Sequence, residues 1–454
     1  MSSRPATARP RPGAELELTV DDFAFGGAGV ARVEGYVVFV RGAVPGDRVI
    51  GRVTRSKRDY AEAVLVEVLE PSDERIAASA PHPGAPWGVL PYERQLAEKE
   101  RQVREALERY GGFESPPVEP IVAAEQTWRY RNKLEYSFGE SEDGELVLGF
   151  HKPGRWNDIE DVTEDVLASE EIDAVRNAAR EWARAEGLSS WDRRSGSGFL
   201  RNLVVREGRR SGQVQARIVT SEGDFNAEGF AAALEADSVL WTQTGGVSET
   251  TREGKTVLLQ GEEWIEETLC GLRLRISHEA FFQTNTEMAE QLYAAAADAA
   301  ALTGSERVFD LFCGIGTIGL SMATDARELW GIELVEQATG DAERNAALNG
   351  IGNAHFVAGD VRTAARPLVE RAGTPDVVLV DPPRAGLSQK VVRRILETEP
   401  QRIVYVSCNP TTLAPNARQM AEAGYELRKV KPVDMFPQTP HIECVALLER
   451  PAGL

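Results

Sequence analysis

Along the first seventy residues, apolar and polar positions alternate in short runs. Further on, longer stretches repeat at helical spacing. Glu15-Leu16-Glu17-Leu18 alternates, Tyr36 to Val40 does so loosely, and Ala63 to Leu69 is rich in β-formers. Gly26-Gly27, Gly29, Gly35, Gly42 and Pro45-Gly46 punctuate these runs as turns. Five short strands within 13–70 predict a small β-barrel, which closes its own edges. Residues 1–12 are polar and Pro-rich and read as a disordered tail. The prolines of 71–92 mark an irregular segment. Leu96, Val103, Ala106 and Leu107 then form one apolar stripe of a helix over 93–110, stopped by Gly111-Gly112.

Residues 120–270 read as an antiparallel-rich α+β unit. Strands are predicted at 133–138, 146–151, 202–206, 213–219 and 256–259, with a helix over 171–186. A helix over 286–302 opens the last part. Strands follow at 308–312, 328–333, 354–357, 377–380 and 403–407, separated by helical runs such as 338–349 and 390–397. This alternation predicts an α/β unit over 271–454, a mostly parallel sheet with helices on both faces. Ligands of such a sheet bind at the carboxyl ends of its strands.

Composition narrows the class. The chain has 454 residues, 42% apolar and 27% charged, as expected of a globular protein of several domains. No apolar run is long enough to span a membrane, and none follows Arg4, Arg9 and Arg11, so neither a span nor a secretory signal is expected. Four scattered cysteines suit a reducing cytoplasm better than a disulfide framework. The net charge of -20 argues against a general nucleic-acid coat protein but leaves room for a local basic face. Arg41 to Arg58 holds six basic residues against Asp47, with Tyr60 beside them. That suits phosphate contact, and equally a solvated turn region. Arg129-Tyr130-Arg131-Asn132-Lys133 and Arg193-Arg194 with Arg201 and Arg206 form two more basic knots, open to the same two readings.

Candidate chemistry lies at the strand ends. Asp310-Leu-Phe-Cys-Gly314-Ile-Gly316-Thr-Ile-Gly319 follows a strand and opens a helix. Gly314 and Gly316 allow a tight turn and close approach of a ligand. The G-x-G-x-x-G spacing alone is compatible with a dinucleotide. Asp310, however, would repel a pyrophosphate and can take an ammonium group. Glu333 ends the next strand, where it can accept ribose hydroxyls, and Asp360 ends the third, beside an adenine amine. Three acids at successive strand ends suit S-adenosylmethionine, which carries positive charge. Asp381-Pro382-Pro383-Arg384 ends the fourth strand and sets a carboxylate near the methyl group. Cys408, in Ser407-Cys408-Asn409-Pro410, ends the fifth and is placed for nucleophilic attack. Glu443, in His441-Ile-Glu443, can serve as base. Cys270 and Cys444 read as small buried hydrophobes.

The motifs Asp310 to Gly319, Asp381 to Gly386, Val406 to Thr411 and His441 to Leu448, in this order, resemble those of the RNA 5-methyluridine methyltransferases. The first seventy residues resemble the TRAM domain, a small OB-like RNA-binding barrel that precedes many of them. The resemblance covers nearly the whole chain. It implies a Rossmann-like class I methyltransferase domain, a central α+β RNA-binding domain, and a helix over 93–119 that packs on the catalytic domain. It implies attack of Cys408 on C6 of a uridine, methyl transfer to C5 and removal of the C5 proton by Glu443. The base would be flipped out of a folded loop. Gln283 and Phe312 would join the cofactor site, Asp381 would position base or cofactor, and Arg131, Lys133, Arg201 and Arg384 would face RNA.

One departure stands out. Many relatives hold a four-cysteine iron–sulfur cluster. Its first three cysteines would fall within 78–92 and the fourth near 158–162, where this chain has none. No cluster and no other metal site is expected; His82, Trp87 and the prolines would fill that volume. RNA cytosine-C5 methyltransferases usually carry a second cysteine after Asp-Pro-Pro; Arg384 there favours uridine. The barrel favours 23S ribosomal RNA, with transfer RNA as the alternative. One chain holds the whole site, so a monomer suffices, with no obligate protein partner and no membrane.

Overall fold

The computed structural model describes residues 9–78, 81–152, 155–246, 251 and 253–451. Residues 1–8 of the expected tail lie outside these. Strands β1 (Glu15–Phe23), β2 (Gly29–Val33), β3 (Tyr36–Arg41), β4 (Arg48–Ser56) and β5 (Tyr60–Glu70) close a barrel in the order β1-β2-β3-β5-β4. Its interior is small and apolar, with Leu18, Val38, Val40, Val49, Ala61 and Ala63 among its members. Asp47, the lone acid of the basic run, is fully buried. It accepts hydrogen bonds from Val44 and Ser72 backbone N–H and an ion pair from Arg75, so it ties the following segment to the barrel. In the same run, Arg48 is engaged by Glu17 and Glu70, and Arg55 faces Glu62.

Helix α1 (Tyr92–Ala106) ends in a wider π turn, Leu107–Gly111, closed by Gly112 at φ 73°. The central sheet has the order β12-β11-β10-β9-β6-β7-β8. Its strands are β6 (Lys133–Glu140), β7 (Leu146–Lys152), β8 (Arg155–Asp161), β9 (Leu200–Glu207), β10 (Val214–Thr220), β11 (Ser238–Gln243) and β12 (Lys255–Gln260). Only β10 and β11 run parallel. Helices α2 (Glu170–Ala185) and α3 (Ala227–Ala233) cover one face, sharing a core with Tyr136, Leu203, Val205 and Ile218. A hairpin, β13 (Trp264–Leu269) with β14 (Leu272–Ser277), leads onward. Cys270, expected as buried filler, sits half-buried in its turn at φ 51°.

The last sheet has the order β17-β16-β15-β18-β19-β21-β20. Strands β15 (Arg307–Leu311), β16 (Glu328–Glu333), β17 (Ala354–Ala358), β18 (Val377–Val380) and β19 (Arg402–Ser407) are parallel. β20 (Glu426–Val433) and β21 (Glu443–Glu449) add an antiparallel edge that the sequence reading left unassigned. Helices α4 (Thr286–Ala300), α5 (Thr317–Met322) and α6 (Glu336–Leu348) cover one face. On the other lie α7 (Val361–Ala372), α8 (Gln389–Leu396) and α9 (Pro410–Glu422), joined by Val103 and Leu107. Among the described residues, no helix is long and apolar enough to cross a membrane.

The loop between β20 and β21 is where the parts meet. Asp434 is fully buried, pairs with buried Lys99 of α1, and accepts the Tyr92 hydroxyl at 2.8 Å. Lys99 also donates to the Phe436 carbonyl at 3.0 Å. Gln95 donates to the Gln438 side chain at 2.7 Å and accepts its backbone N–H at 2.9 Å. The Trp87 backbone N–H donates to the Gln438 carbonyl, and the Tyr130 hydroxyl to the Pro437 carbonyl, each at 2.9 Å. Trp87 also packs on Phe23 of the barrel.

Lys99→Met should cost about 3–5 kcal/mol in denaturant unfolding, because Asp434 is left as an unpaired buried charge. Adding Asp434→Asn should recover part of that loss.

Candidate active site

The carboxyl ends of β15, β16, β18 and β19 open on one cavity of about 1030 Å³. Eleven of the residues singled out from sequence line it: Arg131, Gln283, Asp310, Phe312, Gly314, Glu333, Asp360, Asp381, Arg384, Cys408 and Glu443. Three do not. Gly316 lies behind the lining, where its φ of 85° starts α5. Lys133 pairs with Glu135 at 2.7 Å. Arg201 is 6% exposed, stacks on Trp191 and donates to the Gly246 carbonyl at 2.7 Å, so its guanidinium serves the central domain's own packing.

Local geometry explains each position. β15 stops at Leu311 because Phe312 turns to φ 73°, which aims the glycine loop under the cavity. Asp310 accepts the Gly319 N–H at 3.1 Å. A Cβ at residue 319 would stand 2.6 Å from that carboxylate, so only glycine fits. Glu333 accepts the N–H groups of Gly314 (3.1 Å) and Val335 (2.9 Å), holding the loop against the second strand. Asp360 caps α7 and is paired with Arg362, which keeps its carboxyl down at about 2. The Asp381–Arg384 turn is tied to α9: Asn409 Nδ2 donates to the Arg384 carbonyl, and Asn416 exchanges hydrogen bonds with the Leu387 backbone.

Cys408 and Glu443 meet because β21 is antiparallel to β19. Ser407 pairs with Cys444, so the residue after one strand's end and the first residue of the other emerge together. Burial, then Glu443 and Asp381, push the Cys408 thiol up to about 11, with Arg384 opposing. Burial and Asp381 hold the Glu443 carboxyl well above the carboxylate range. Burial holds Asp381 at about 7, and burial with Asp381 and Glu333 does the same to Asp310. His441 is pushed down to about 4 by burial and by Arg384, Arg131 and Lys99. The site is thus a cluster of acids with excess proton affinity.

Such a cluster suits a cationic ligand. Gly314, at φ 56°, has nothing within 4 Å of the place a Cβ would take, so a ligand can lie on its backbone. These residues fit S-adenosylmethionine. They do not fit an iron–sulfur cluster in the central domain. In the 71–92 segment, His82 lies 3.0 Å from Asp165, which also accepts the Tyr136 hydroxyl, and Ala85 packs with Tyr130 and Leu167. The four cysteines are free, and among the described residues no group of three or more potential ligands is placed to hold a metal.

The sequence assigns no role to Phe281, Tyr293, Leu334, Val335, Phe436 and His441, which also line the cavity. Phe281, Leu334 and Val335 are among the few exposed large apolar residues. Two consecutive apolar residues directly after the strand-end acid Glu333 were the available signal.

Asp310 gains proton affinity on folding, from its ordinary 3.8 to about 7. Its contribution to stability is therefore full below 3.8 and is lost as pH rises through 7. Asp310→Asn should raise the stability of the ligand-free protein at pH 8 by up to roughly 4 kcal/mol, while weakening cofactor binding. Denaturant unfolding at pH 5 and pH 8 checks it; an equal effect at both would refute it.

Comparison with known proteins names the chemistry. A family model described as tRNA (Uracil-5-)-methyltransferase matches residues 227–451, and one described as the TRAM domain matches residues 9–66. An uncharacterized RNA methyltransferase of Halalkalibacterium halodurans is 37% identical over 444 residues, covering 96% of each chain. Another, from Gloeobacter violaceus, is 39% identical over 457 residues, 97% of this chain and 98% of the relative. The crystal structure of Pyrococcus abyssi tRNA (uracil-54, C5)-methyltransferase in complex with S-adenosyl-L-homocysteine matches with a TM-score of 0.77 at 29% identity, covering 95% of this chain and 100% of that one. The acid-lined cavity at the strand ends, the barrel and these relatives lead to one statement: the chain belongs to the S-adenosylmethionine-dependent RNA (uracil-5-)-methyltransferase family, with a TRAM domain ahead of its catalytic part.

Proposed function

We propose that this enzyme methylates C5 of one uridine in 23S ribosomal RNA through a covalent adduct between Cys408 and C6, with Glu443 as general base. The observation that carries the reading is the convergence of Cys408 and Glu443 from β19 and β21 on the cavity that Asp310, Glu333 and Asp381 also line. Uracil C5 is a weak nucleophile. Addition of sulfur to C6 turns it into an enolate carbon, and elimination later restores the ring. S-adenosylmethionine, when bound, supplies an electrophilic methyl group on a sulfonium. Asp310, Glu333, Asp360, Phe312, Gln283 and the Gly314–Gly316 loop hold it. Asp381 positions the base, and Arg384 and Arg131 hold the RNA at the cavity.

The proton inventory sets the order of events. Cys408 rests as a thiol, so its proton passes to solvent as the S–C6 bond forms and the C5–C6 π pair moves into the enolate. Glu443 acts as its carboxylate, a form that the approach of the cationic cofactor favours by charge; it takes the C5 proton after methylation, and its raised affinity then makes it a stronger base than an exposed glutamate. The Cys408–C6 bond then breaks. The four free cysteines support a reducing, cytoplasmic setting, and a complete site within one chain supports a monomer.

Transfer RNA is the second reading, favoured by the name of the Pyrococcus abyssi structure. Labelled methyl transfer to ribosomal and transfer RNA stripped of 5-methyluridine separates the two. Label in 5-methylcytidine, or in neither RNA, would sink the proposal.

Cys408→Ala should lower methyl transfer by at least about 10⁴-fold. Glu443→Gln should instead trap a protein–RNA adduct that survives denaturing electrophoresis. Adduct formation by the parent should rise with pH from 6 to 9, as the thiolate fraction grows below a thiol value of about 11. Glu443→Gln removes a neighbouring negative charge, so alkylation of Cys408, followed by mass spectrometry, should shift to lower pH in that variant.

A further inference from the structure

The second face of the central sheet carries an unspent set of cations. Leu134, Tyr136, Leu203, Val205 and Ala216 point to the α2 side. By strand alternation, Lys133, Glu135, Val204, Arg206, Gln215 and Arg217 share the opposite face. Register brings them together: Lys133 pairs with Arg206, and Val204 stands between Glu135 and Arg217. Arg206 and Arg217 are each 3% exposed.

Their hydrogen-bonding capacity is mostly unused. Arg206 Nη2 donates to the Ala280 carbonyl at 2.7 Å, but its Nη1 has no partner. Arg217 Nε and Nη1 have none either, nor does Nδ1 of nearby His278. Of the acids that face the cluster, Glu135 is held by Lys133 at 2.7 Å and by Thr251 at 3.0 Å, while Glu279 lies at the exposed edge and Glu263 is near His278. Burial lowers both arginines; Arg217 adds to this at Arg206, which is held at about 10, while Glu279 and Glu135 oppose it at Arg217. A buried guanidinium with open donors is costly unless an anion completes it.

The cluster adjoins the active-site cavity. Ala280, which Arg206 holds, precedes cavity-lining Phe281, and Asn132 Nδ2 donates to the Gln283 carbonyl at 2.9 Å. Its edge is formed by Glu135 (45% side-chain exposure) and Lys133 (23%), the members of the face that reach solvent.

We propose that Arg206 and Arg217, with Lys133 at the rim, form a phosphate subsite that grips the substrate RNA backbone next to the methylated uridine. This rests on the uridine-methylation reading for the ligand. A guanidinium pair presents fixed donor forks that match phosphate oxygens. The subsite would anchor the strand while the base is drawn into the cavity.

The test uses the full chain and a short single-stranded RNA containing uridine. Arg217→Met should weaken RNA binding about 10–100-fold at low salt and lower the slope of log Kd against log salt by about 0.7, the loss of one single-strand phosphate contact. S-adenosylmethionine binding should be unchanged. The free protein should unfold at a higher temperature, because an incompletely paired buried charge is gone. Arg217→Lys should keep the salt slope at reduced affinity. Lower stability with unchanged RNA binding would overturn the proposal and make Arg217 a structural cation satisfied by its surroundings. RNA binding lost in Arg217→Met but not salt-dependent through position 217 in Arg217→Lys would overturn it too. If the parent binds RNA through this cluster but transfers no methyl group to uridine, the functional reading fails and the subsite stands.

Discussion

The loop from Asp434 to His441 is held by buried polar partners from four parts of the chain, and the active site depends on that grip. A loop of this kind carries backbone groups that water would normally satisfy. Here Lys99, Tyr92 and Gln95 replace water from α1, Trp87 from the segment behind the barrel, Tyr130 from the central domain, and Asn285, which donates to the Met435 carbonyl. The result is a rigid entrance to β21, whose first residue is Glu443. Displacement of the loop would move the proposed base relative to Cys408, which is anchored on a different strand.

Within that frame, the cavity concentrates negative charge that water does not neutralise. Beyond burial, Asp381 raises the proton affinity of Asp310, Glu443 and the Cys408 thiol, Glu443 adds to it at Cys408, and Glu333 adds to it at Asp310. Arg384 opposes them at Cys408 and Glu443. A cationic methyl donor relieves this repulsion as it binds, so charge balance itself favours cofactor binding. Neutral His441 adds no further positive charge at the mouth.

Much of this was legible in the sequence because period and punctuation are local. The five parallel strands, the glycine loop and the barrel's strands announce themselves by alternation and by glycine. The strand-end acids were legible too, since the carboxyl end of a parallel strand is where such a sheet binds. What was hidden is non-local. β20 contains Lys429, Lys431 and Pro432 and lacks a clean apolar run, and the short apolar run Cys444 to Leu448 of β21 carries no mark of its partner, so nothing in the sequence said that Cys444 would lie opposite Ser407. Arg201 looked like a surface cation; Trp191 and the Gly246 carbonyl, distant in sequence, absorb it. Arg217 was overlooked because a lone arginine in an alternating strand has no local signature, and its missing partners are visible only once register is known.

The grip on the Asp434–His441 loop also bears on how such a chain could have arisen. Here the accessory parts supply the groups that solvate the loop leading to Glu443. Trp87 donates to that loop and packs against Phe23 of the barrel, so even the most distant domain lies one contact from it. Exchange of one part for a foreign counterpart would disturb that solvation before it altered RNA choice. The segments are therefore constrained to be inherited together, and their specificities to change by substitution rather than by shuffling.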